Sequence, residues 1–146
     1  EHLARQLVDI AVRAVSAGVN DPYTAVGAID SLKAAFAATA THPDPHPVLV
    51  DEKGLVRVRV AYRSWSDLVV EVVDAIRHYC AGQPVVAERL LDLLGGLAVR
   101  VSDPVRHVAL IAAADRVLSG VDAASVLAAD RERLQSAAAW REAVTS

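Results

Sequence analysis

Two apolar helical patterns joined by a polar turn occupy residues 3–32, LARQLVDIAVRAVSAGVNDPYTAVGAIDSL. Apolar residues of the first pattern recur every three or four positions, which predicts an amphipathic helix over residues 2–17. We expect Gly18 to end this helix in a left-handed conformation. Asp21 is a preferred N-cap residue and Pro22 suits the first helical position, so a second helix is predicted from Pro22 to about Ala40.

The two helices are predicted to pack through their apolar faces. The residues expected on those faces are Leu3, Leu7, Ile10, Ala11 and Ala14 in the first helix, and Val26, Ile29, Leu32 and Phe36 in the second. The opposite face of the first helix carries Arg5, Asp9 and Arg13 at spacings of four residues, where Asp9 and Arg13 have the favourable order for an ion pair.

A short alternating segment follows the second helix. Valines at positions 56, 58 and 60 alternate with Arg57 and Arg59, which predicts a β-hairpin of residues 48–50 and 55–60 with one face in water and the other buried. The hairpin has free edges that could pair with another copy or another part of the parent protein. Arg57, Arg59 and Arg63 form a local basic cluster, interpreted as a polar face or as a contact for anionic headgroups.

Four more helices are predicted after the hairpin, over residues 65–81, 84–101, 104–119 and 123–144. The segment Ser64-Trp65-Ser66-Asp67 has the spacing of a capping box, and Asp103-Pro104 repeats the Asp-Pro helix start. Gly120 is expected to end the fifth helix and Asp122 to cap the sixth. The predicted fold is therefore mainly α, a bundle of about six helices with one inserted two-stranded hairpin.

Composition limits the class of protein. A chain of 146 residues with 53% hydrophobic residues can bury a core, so we expect one domain over residues 1–146. The formal net charge of −3 argues against nucleic-acid binding, which needs a concentrated basic surface. No membrane span is expected, because the most apolar stretch, residues 90–101, is short and carries Asp92 and Arg100. The absence of methionine indicates a piece excised from a longer protein.

The motif RQLVDIAVRAVSAGVNDPYTA, residues 5–25, resembles the signature of a bacterial family of predicted membrane proteins, the domain of unknown function numbered twenty-two fifty-four. The chain departs from that signature at Ala17, where the family usually has proline. The resemblance implies a soluble C-terminal region of a membrane-anchored protein. It brings no activity that could be assigned to these residues.

The polar turn is the best candidate site. The candidate ligand-binding residues are Arg5, Asp9, Arg13, Asn20, Asp21 and Thr24. A helix N-terminus can hold an anion; alternatively, Asp21 only caps its own helix while Asn20 adopts a left-handed turn conformation. Asp9, Asp21 and Asp30 could together serve acid–base chemistry or a hard cation, but their spacing matches no metal loop, so no catalytic residue, metal or cofactor is predicted.

Other residues of chemical interest have structural interpretations. His42 and His46 flank Pro-Asp-Pro in a polar loop that is poorly suited to hold a metal. Cys80 is interpreted as a buried, inert thiol and Tyr79 as an aromatic at the edge of the core. His78 is interpreted as a residue of the helix surface or as one that makes a hydrogen bond between helices. Gly95-Gly96 permits close helix approach, either within the core or between copies.

These observations predict a non-enzymatic assembly or regulatory domain on the cytoplasmic face of a bacterial inner membrane. The expected partners are a second copy and the membrane part of its own chain, with only indirect membrane contact. The alternative is a domain that binds a small ligand or ion at the Asn-Asp-Pro turn, with a catalytic role as one form of that alternative.

Overall fold

A computed structural model describes residues 2–45, 47–79, 82–122 and 126–145. Helix α1 (His2–Ala14) and helix α2 (Pro22–Thr39) form the first helical pair. As predicted, Asp21 is the N-cap of α2 and Pro22 lies in its first turn. The mainly helical architecture with one inserted hairpin confirms the predicted fold class.

Strands β1 (Val48–Val50) and β2 (Val56–Arg59) form an antiparallel hairpin between α2 and α3. Its turn is stabilised by Asp51, whose carboxylate accepts hydrogen bonds from the backbone amides of Lys53 and Leu55, each at 2.9 Å. Gly54 has a φ of 76°, a conformation that favours glycine over residues with a side chain.

The helices after the hairpin are α3 (Trp65–Arg77), α4 (Pro84–Ala98), α5 (Pro104–Asp122), α6 (Ala128–Ala137) and α7 (Trp140–Thr145). The capping box of α3 is present, because the Ser64 hydroxyl accepts from the Asp67 amide at 3.0 Å and the Asp67 carboxylate accepts from the Ser64 amide at 3.1 Å. The Asp-Pro start of α5 also forms, with the Asp103 carboxylate accepting from the Val105 amide at 2.9 Å.

Helix α4 lies at the centre of the bundle and packs against α2, α5, α6 and α7. Its leucines are fully buried, at positions 90, 91, 93, 94 and 97. A helix that is apolar around most of its circumference is stabilised when other helices surround it. The other helices contribute the small and branched side chains of one continuous core, including Ile29, Leu32, Val73 and Ile76.

Several predicted helix ends are wrong. Helix α1 ends at Ala14 rather than 17, and the Ala14 carbonyl accepts from the Asp21 amide at 2.7 Å, so a carbonyl of the last turn is satisfied by the connection to α2. Gly18 does not take the left-handed conformation expected of it; Asn20 does, with a φ of 49°. Helix α4 ends at Ala98 rather than 101, and α3 ends at Arg77 rather than 81.

The C-terminal helices also differ from the prediction. Helix α5 continues through Gly120 to Asp122, because glycine weakens a helix without forcing it to end. Asp122 therefore lies inside α5 rather than capping a sixth helix. The predicted helix over residues 123–144 is divided into α6 and α7, which meet at Ala138, a residue outside the helical φ/ψ range.

Two burial predictions are wrong. Leu3 and Ile10 are exposed, since α1 turns Ala11 and Ala14 toward the core instead. The hairpin buries neither face: Val56, Val58 and Val60 are about as exposed as their neighbours on β1. An alternating pattern predicts which side chains share a face, but it cannot supply a helix to cover that face.

The paired glycines of α4 serve contacts within the chain. A Cβ atom at Gly95 would lie 2.7 Å from Cδ1 of Trp140 in α7, and one at Gly96 would collide with the side-chain end of Lys33 in α2. The glycines therefore admit an indole and a lysine stem. Of the two roles left open for this pair, close approach inside the bundle is the one observed.

Candidate functional site

Hydrogen bonds between neighbouring residues hold the Asn-Asp-Pro turn together. The Asp21 carboxylate accepts from the Thr24 amide at 3.2 Å and from the Thr24 hydroxyl at 2.6 Å. These bonds occupy the N-terminus of α2, where an external anion would otherwise find free N–H groups. The hydrogen bond from the Thr24 hydroxyl, followed by that from the Thr24 amide, lowers the pKa of Asp21 below its ordinary value of 3.8.

Asn20 makes a contact that the sequence did not indicate. Its side-chain oxygen accepts a hydrogen bond from Gln83 Nε2 at 2.7 Å, across 63 residues of sequence. Gln83 directly precedes α4, so this bond ties the first turn of the molecule to the start of the central helix. This bond gives Asn20 a structural role.

A shallow cleft lies beside the turn and brings together four of the six candidate residues. It has a volume of about 240 Å³ and is lined by Asp9, Arg13, Asp21 and Thr24, together with Ile10, Ala14 and Val19. Neither Arg5 nor Asn20 lines this cleft. Arg5 lines a separate groove of about 370 Å³ between α1 and α3, to which Asp9 also contributes.

The predicted polar row of α1 forms only in part. Asp9 and Arg13 line one cleft, but they make no ion pair with each other among the described residues. Asp30, a third carboxylate considered with Asp9 and Asp21, lies on the far side of α2 and pairs with Arg89 of α4 at 3.5 Å. The three carboxylates therefore do not converge. Within the described part of the chain, no group of three or more metal-ligating side chains comes together.

The remaining residues considered as sites are spread over the surface. His42 is exposed in the loop after α2, and His46 and Cys80 lie outside the described residues, so their predicted roles stay predictions. His78 and Tyr79 are both exposed just beyond α3, where their rings meet edge to face at 5.1 Å between centroids.

The basic cluster of the hairpin is partly neutralised. Arg57 pairs with Asp51 at 2.7 Å, and Arg63 pairs with Glu71 of α3. Arg59 is exposed at the end of β2. The cluster therefore presents less positive charge than its sequence indicates.

A buried arginine that the sequence analysis did not single out holds together the base of the hairpin. Arg106 is 6% exposed and donates to the carbonyls of Ala40 and His42 at 2.6 and 2.8 Å. Its guanidinium also lies 3.3 Å from the Asp44 carboxylate and 5.0 Å from the ring centroid of Trp65. Asp44 in turn accepts from the Trp65 amide at 2.8 Å.

This Arg106 cluster joins the end of α2, the loop before the hairpin and the starts of α3 and α5. The available signal was a charged residue, Arg106, in the first turn of α5, where a positive charge is unfavourable at a helix N-terminus. It could not reveal the partners, because they lie more than sixty residues earlier in the chain.

Comparison with known proteins places this architecture in a family. The family model "Predicted membrane protein (DUF2254)" matches residues 1–95. An uncharacterized protein from Mycobacterium bovis is 37% identical over 106 residues, which is 73% of this chain and 20% of that protein. Uncharacterized proteins from two strains of Mycobacterium tuberculosis match with the same identity and coverage.

The aligned region thus spans about a fifth of the length of these relatives. No solved structure matches the chain. In the described part of the chain, no helix is both long enough and apolar enough to cross a bilayer. The match over residues 1–95 includes the whole motif of residues 5–25, and the chain belongs to the DUF2254 family of predicted membrane proteins.

Proposed function

We propose that this chain is a non-enzymatic assembly or regulatory domain of a bacterial membrane protein, located on the cytoplasmic face of the inner membrane. One observation carries the proposal: the β-hairpin presents apolar side chains to solvent from both strands. Leu49 and Val50 are 56% and 59% exposed, and Val56 and Val58 are 50% and 47% exposed. Contiguous exposed apolar surface is typical of an interaction site.

The contrast with the polar turn supports an assembly role over ligand binding. The turn's strongest hydrogen-bonding groups, Asp21 and Asn20, already have partners within the chain. The hairpin, in contrast, offers both unpaired strand edges and uncovered apolar side chains. Membership of a family of predicted membrane proteins supports attachment to a membrane through the rest of the parent protein.

Sedimentation equilibrium of the purified chain tests the assembly role. We expect concentration-dependent self-association between micromolar and millimolar protein. A molecular mass that stays monomeric over this whole range would contradict it. The cytoplasmic location is tested by fusing a reporter that folds only in the cytoplasm to this region of the parent protein, and an inactive, stably expressed fusion would contradict that part.

A ligand site at the Asn-Asp-Pro turn is the second candidate function, favoured by the cleft that Asp9, Arg13, Asp21 and Thr24 line. Titration with inorganic phosphate and with magnesium, followed through the amide resonances of Asp9 and Thr24, tests it. Saturable shifts that disappear in Arg13→Ala would support an anion site. Unchanged resonances at millimolar concentrations of both ions would count against an ionic ligand there.

A further inference from the structure

We propose that two copies of this chain pair through the free edge of strand β1, across a two-fold axis at Leu49. This inference rests on the proposed assembly function and specifies its surface. The paired hairpins would form a four-stranded antiparallel sheet in the order β2-β1-β1-β2. Three features of the hairpin support this pairing: the direction of the backbone groups, the charge of the two edges and the exposure of the side chains.

The backbone of β1 directs alternate residues toward and away from β2. The Pro47 carbonyl accepts from the Val60 amide at 2.8 Å, and the Asp51 amide donates to the Leu55 carbonyl at 3.0 Å, so both residues face β2. Backbone groups alternate along an antiparallel strand. The register of the hairpin shifts between Leu49 and Val50, but the extra residue, Arg57, lies on β2, so the alternation along β1 is kept. The amides and carbonyls of Val48 and Val50 therefore point away from β2, toward the open edge.

This arrangement is self-complementary. With Leu49 on a two-fold axis, Val48 of one copy lies opposite Val50 of the other, and the two residues exchange N–H···O=C bonds in both directions. The two Leu49 residues then form the non-hydrogen-bonded pair at the axis, where side chains approach most closely. A two-fold interface requires this kind of match between a surface and itself.

Charge selects β1 over β2 as the pairing edge. Strand β1 has the sequence Val-Leu-Val and carries no charge, whereas β2 carries Arg57 and Arg59. Pairing of β2 with its own copy around Val58 would place Arg57 of one copy opposite Arg59 of the other. Like charges directly opposite each other destabilise a sheet, and charged side chains commonly protect an edge from pairing.

The exposed side chains indicate that the contact is modest in size. Leu49 and Val50 have exposed side chains that a second copy would bury. Asp51, which follows β1, already makes an ion pair with Arg57. A stable interface buries about 1,600 Å² in total, more than a three-residue edge supplies alone. We therefore expect a weak dimer, which the shared membrane of the parent protein would favour by raising the local concentration.

Cysteine cross-linking locates the axis. In Leu49→Cys, made in a Cys80→Ser background, the two Cα atoms across the axis would lie about 4.5 Å apart, within disulfide reach. We expect oxidised glutathione to convert this variant to a covalent dimer at least about tenfold faster than Val58→Cys in the same background. The Val58 positions would be separated by three strand spacings, about 14 Å. Equal rates for the two variants would overturn the proposal.

A charge variant tests the same edge without any cysteine substitution. Leu49→Lys places two ammonium groups at the axis and should weaken association at least about tenfold in sedimentation equilibrium. The control is Val105→Lys on α5, an exposed apolar position away from the hairpin that should leave association unchanged. Circular dichroism should show the same helix content in both, because neither side chain belongs to the core.

The outcomes separate this inference from the proposed function. If the chain associates but Leu49→Lys has no effect, the β1 edge is wrong while the assembly role stands. A strict monomer at millimolar concentration would remove both. If the wild-type chain sediments with phosphatidylglycerol vesicles through the hairpin and forms no dimer, a lipid surface rather than a second copy is the occupant and the pairing proposal fails.

Discussion

The polar turn and the β-hairpin differ in how many of their interacting groups find partners within the chain. The turn has the distinctive motif, yet its hydrogen-bonding groups have partners within the chain: Asp21 accepts from Thr24, and Asn20 accepts from Gln83. The hairpin has an ordinary sequence, yet its apolar side chains and strand edges lack a cover in the described structure. A recognisable motif can therefore mark a folding signal, while an unremarkable segment can mark an interaction surface.

The two regions are also attached differently. Asn20 connects the turn to the start of α4, at the centre of the bundle. The hairpin is held from its base, where Arg106 binds the loop that precedes it. Three substitutions and the pH dependence of stability test these regions and the helical core that supports them, in order of decreasing expected effect.

Arg106→Ala should have the largest effect on stability. The substitution removes the hydrogen bonds that Arg106 donates to the carbonyls of Ala40 and His42, and it also removes the ion pair with Asp44. Leaving a buried acceptor without its hydrogen bond typically costs about 1–3 kcal/mol, and two carbonyls lose their donor here, so we expect a loss of about 3 kcal/mol. Urea denaturation would measure this loss in the free energy of unfolding. The control is Arg100→Ala, at an exposed arginine, whose free energy of unfolding should lie within about 0.5 kcal/mol of the wild-type value.

A small effect of Arg106→Ala on unfolding would show that the hairpin base is held by other contacts. If Arg106→Ala does not fold, Arg106→Lys is the second variant, because it keeps the charge and loses the forked geometry of the guanidinium. Its free energy of unfolding should lie below that of the wild type and above that of Arg106→Ala. An Arg106→Lys protein as stable as wild type would contradict the role assigned to the guanidinium.

Gly95→Ala should have the next largest effect, because it places a methyl group against the indole of Trp140. Overpacking outweighs the gain in helix propensity, so we expect a loss of about 1 kcal/mol in urea denaturation. Gly96→Ala is the matched control. Its neighbour is the flexible end of Lys33, which can move aside, so this change should be neutral or stabilising. Self-association should be unaffected by either, since both glycines face other helices of the same chain.

Asp21→Ala should lower the melting temperature by a few degrees without changing self-association, because it removes the N-cap of α2. Asp21→Asn retains an N-cap acceptor and should recover most of the loss. Differential scanning calorimetry distinguishes the three proteins. A normal melting temperature in Asp21→Ala, together with lost function of the parent protein, would instead favour the ligand site.

The smallest expected effect is on the pH dependence of stability. Hydrogen bonds from Thr24 lower the pKa of Asp21, and hydrogen bonding from the Leu55 amide, with Arg57 and Lys53 adding to it, lowers that of Asp51. A carboxyl whose pKa is depressed on folding contributes stability above its unfolded pKa, and this contribution is lost as pH falls through the folded value. Stability should therefore decline below about pH 4.

The pH effect can be divided between the turn and the hairpin. In Asp21→Asn the acid-dependent decline of thermal stability should be smaller than in wild type. In Asp51→Asn the hairpin amide resonances should lose their acid-dependent change while α2 keeps its own. Identical acid profiles in all three proteins would show that neither carboxyl contributes.

Local chemistry was sufficient to predict the starts of α2, α3 and α5 from the sequence, whereas the predicted helix cap at Asp122 was wrong. Asp21-Pro22, the Ser64–Asp67 box and Asp103-Pro104 each begin a helix through hydrogen bonds within a few residues, so the information is contained in neighbouring residues. The hairpin turn formed for the same reason. Helix ends were predicted less well: α1 ends at Ala14, before Gly18 is reached, and α5 continues through Gly120, because glycine allows a helix to stop without requiring it.

Only the tertiary structure decided which faces and side chains meet. The side-chain hydrogen bonds of Asn20 to Gln83 and of Arg106 to Ala40 and His42 each span more than sixty residues, and no local pattern identifies these partners. The same holds for the candidate site, where four of the predicted residues share a cleft while Arg5 and Asn20 lie elsewhere. The exposure of the hairpin follows from the absence of a helix packed over it in the described structure, because burial depends on where other elements lie as well as on hydrophobicity.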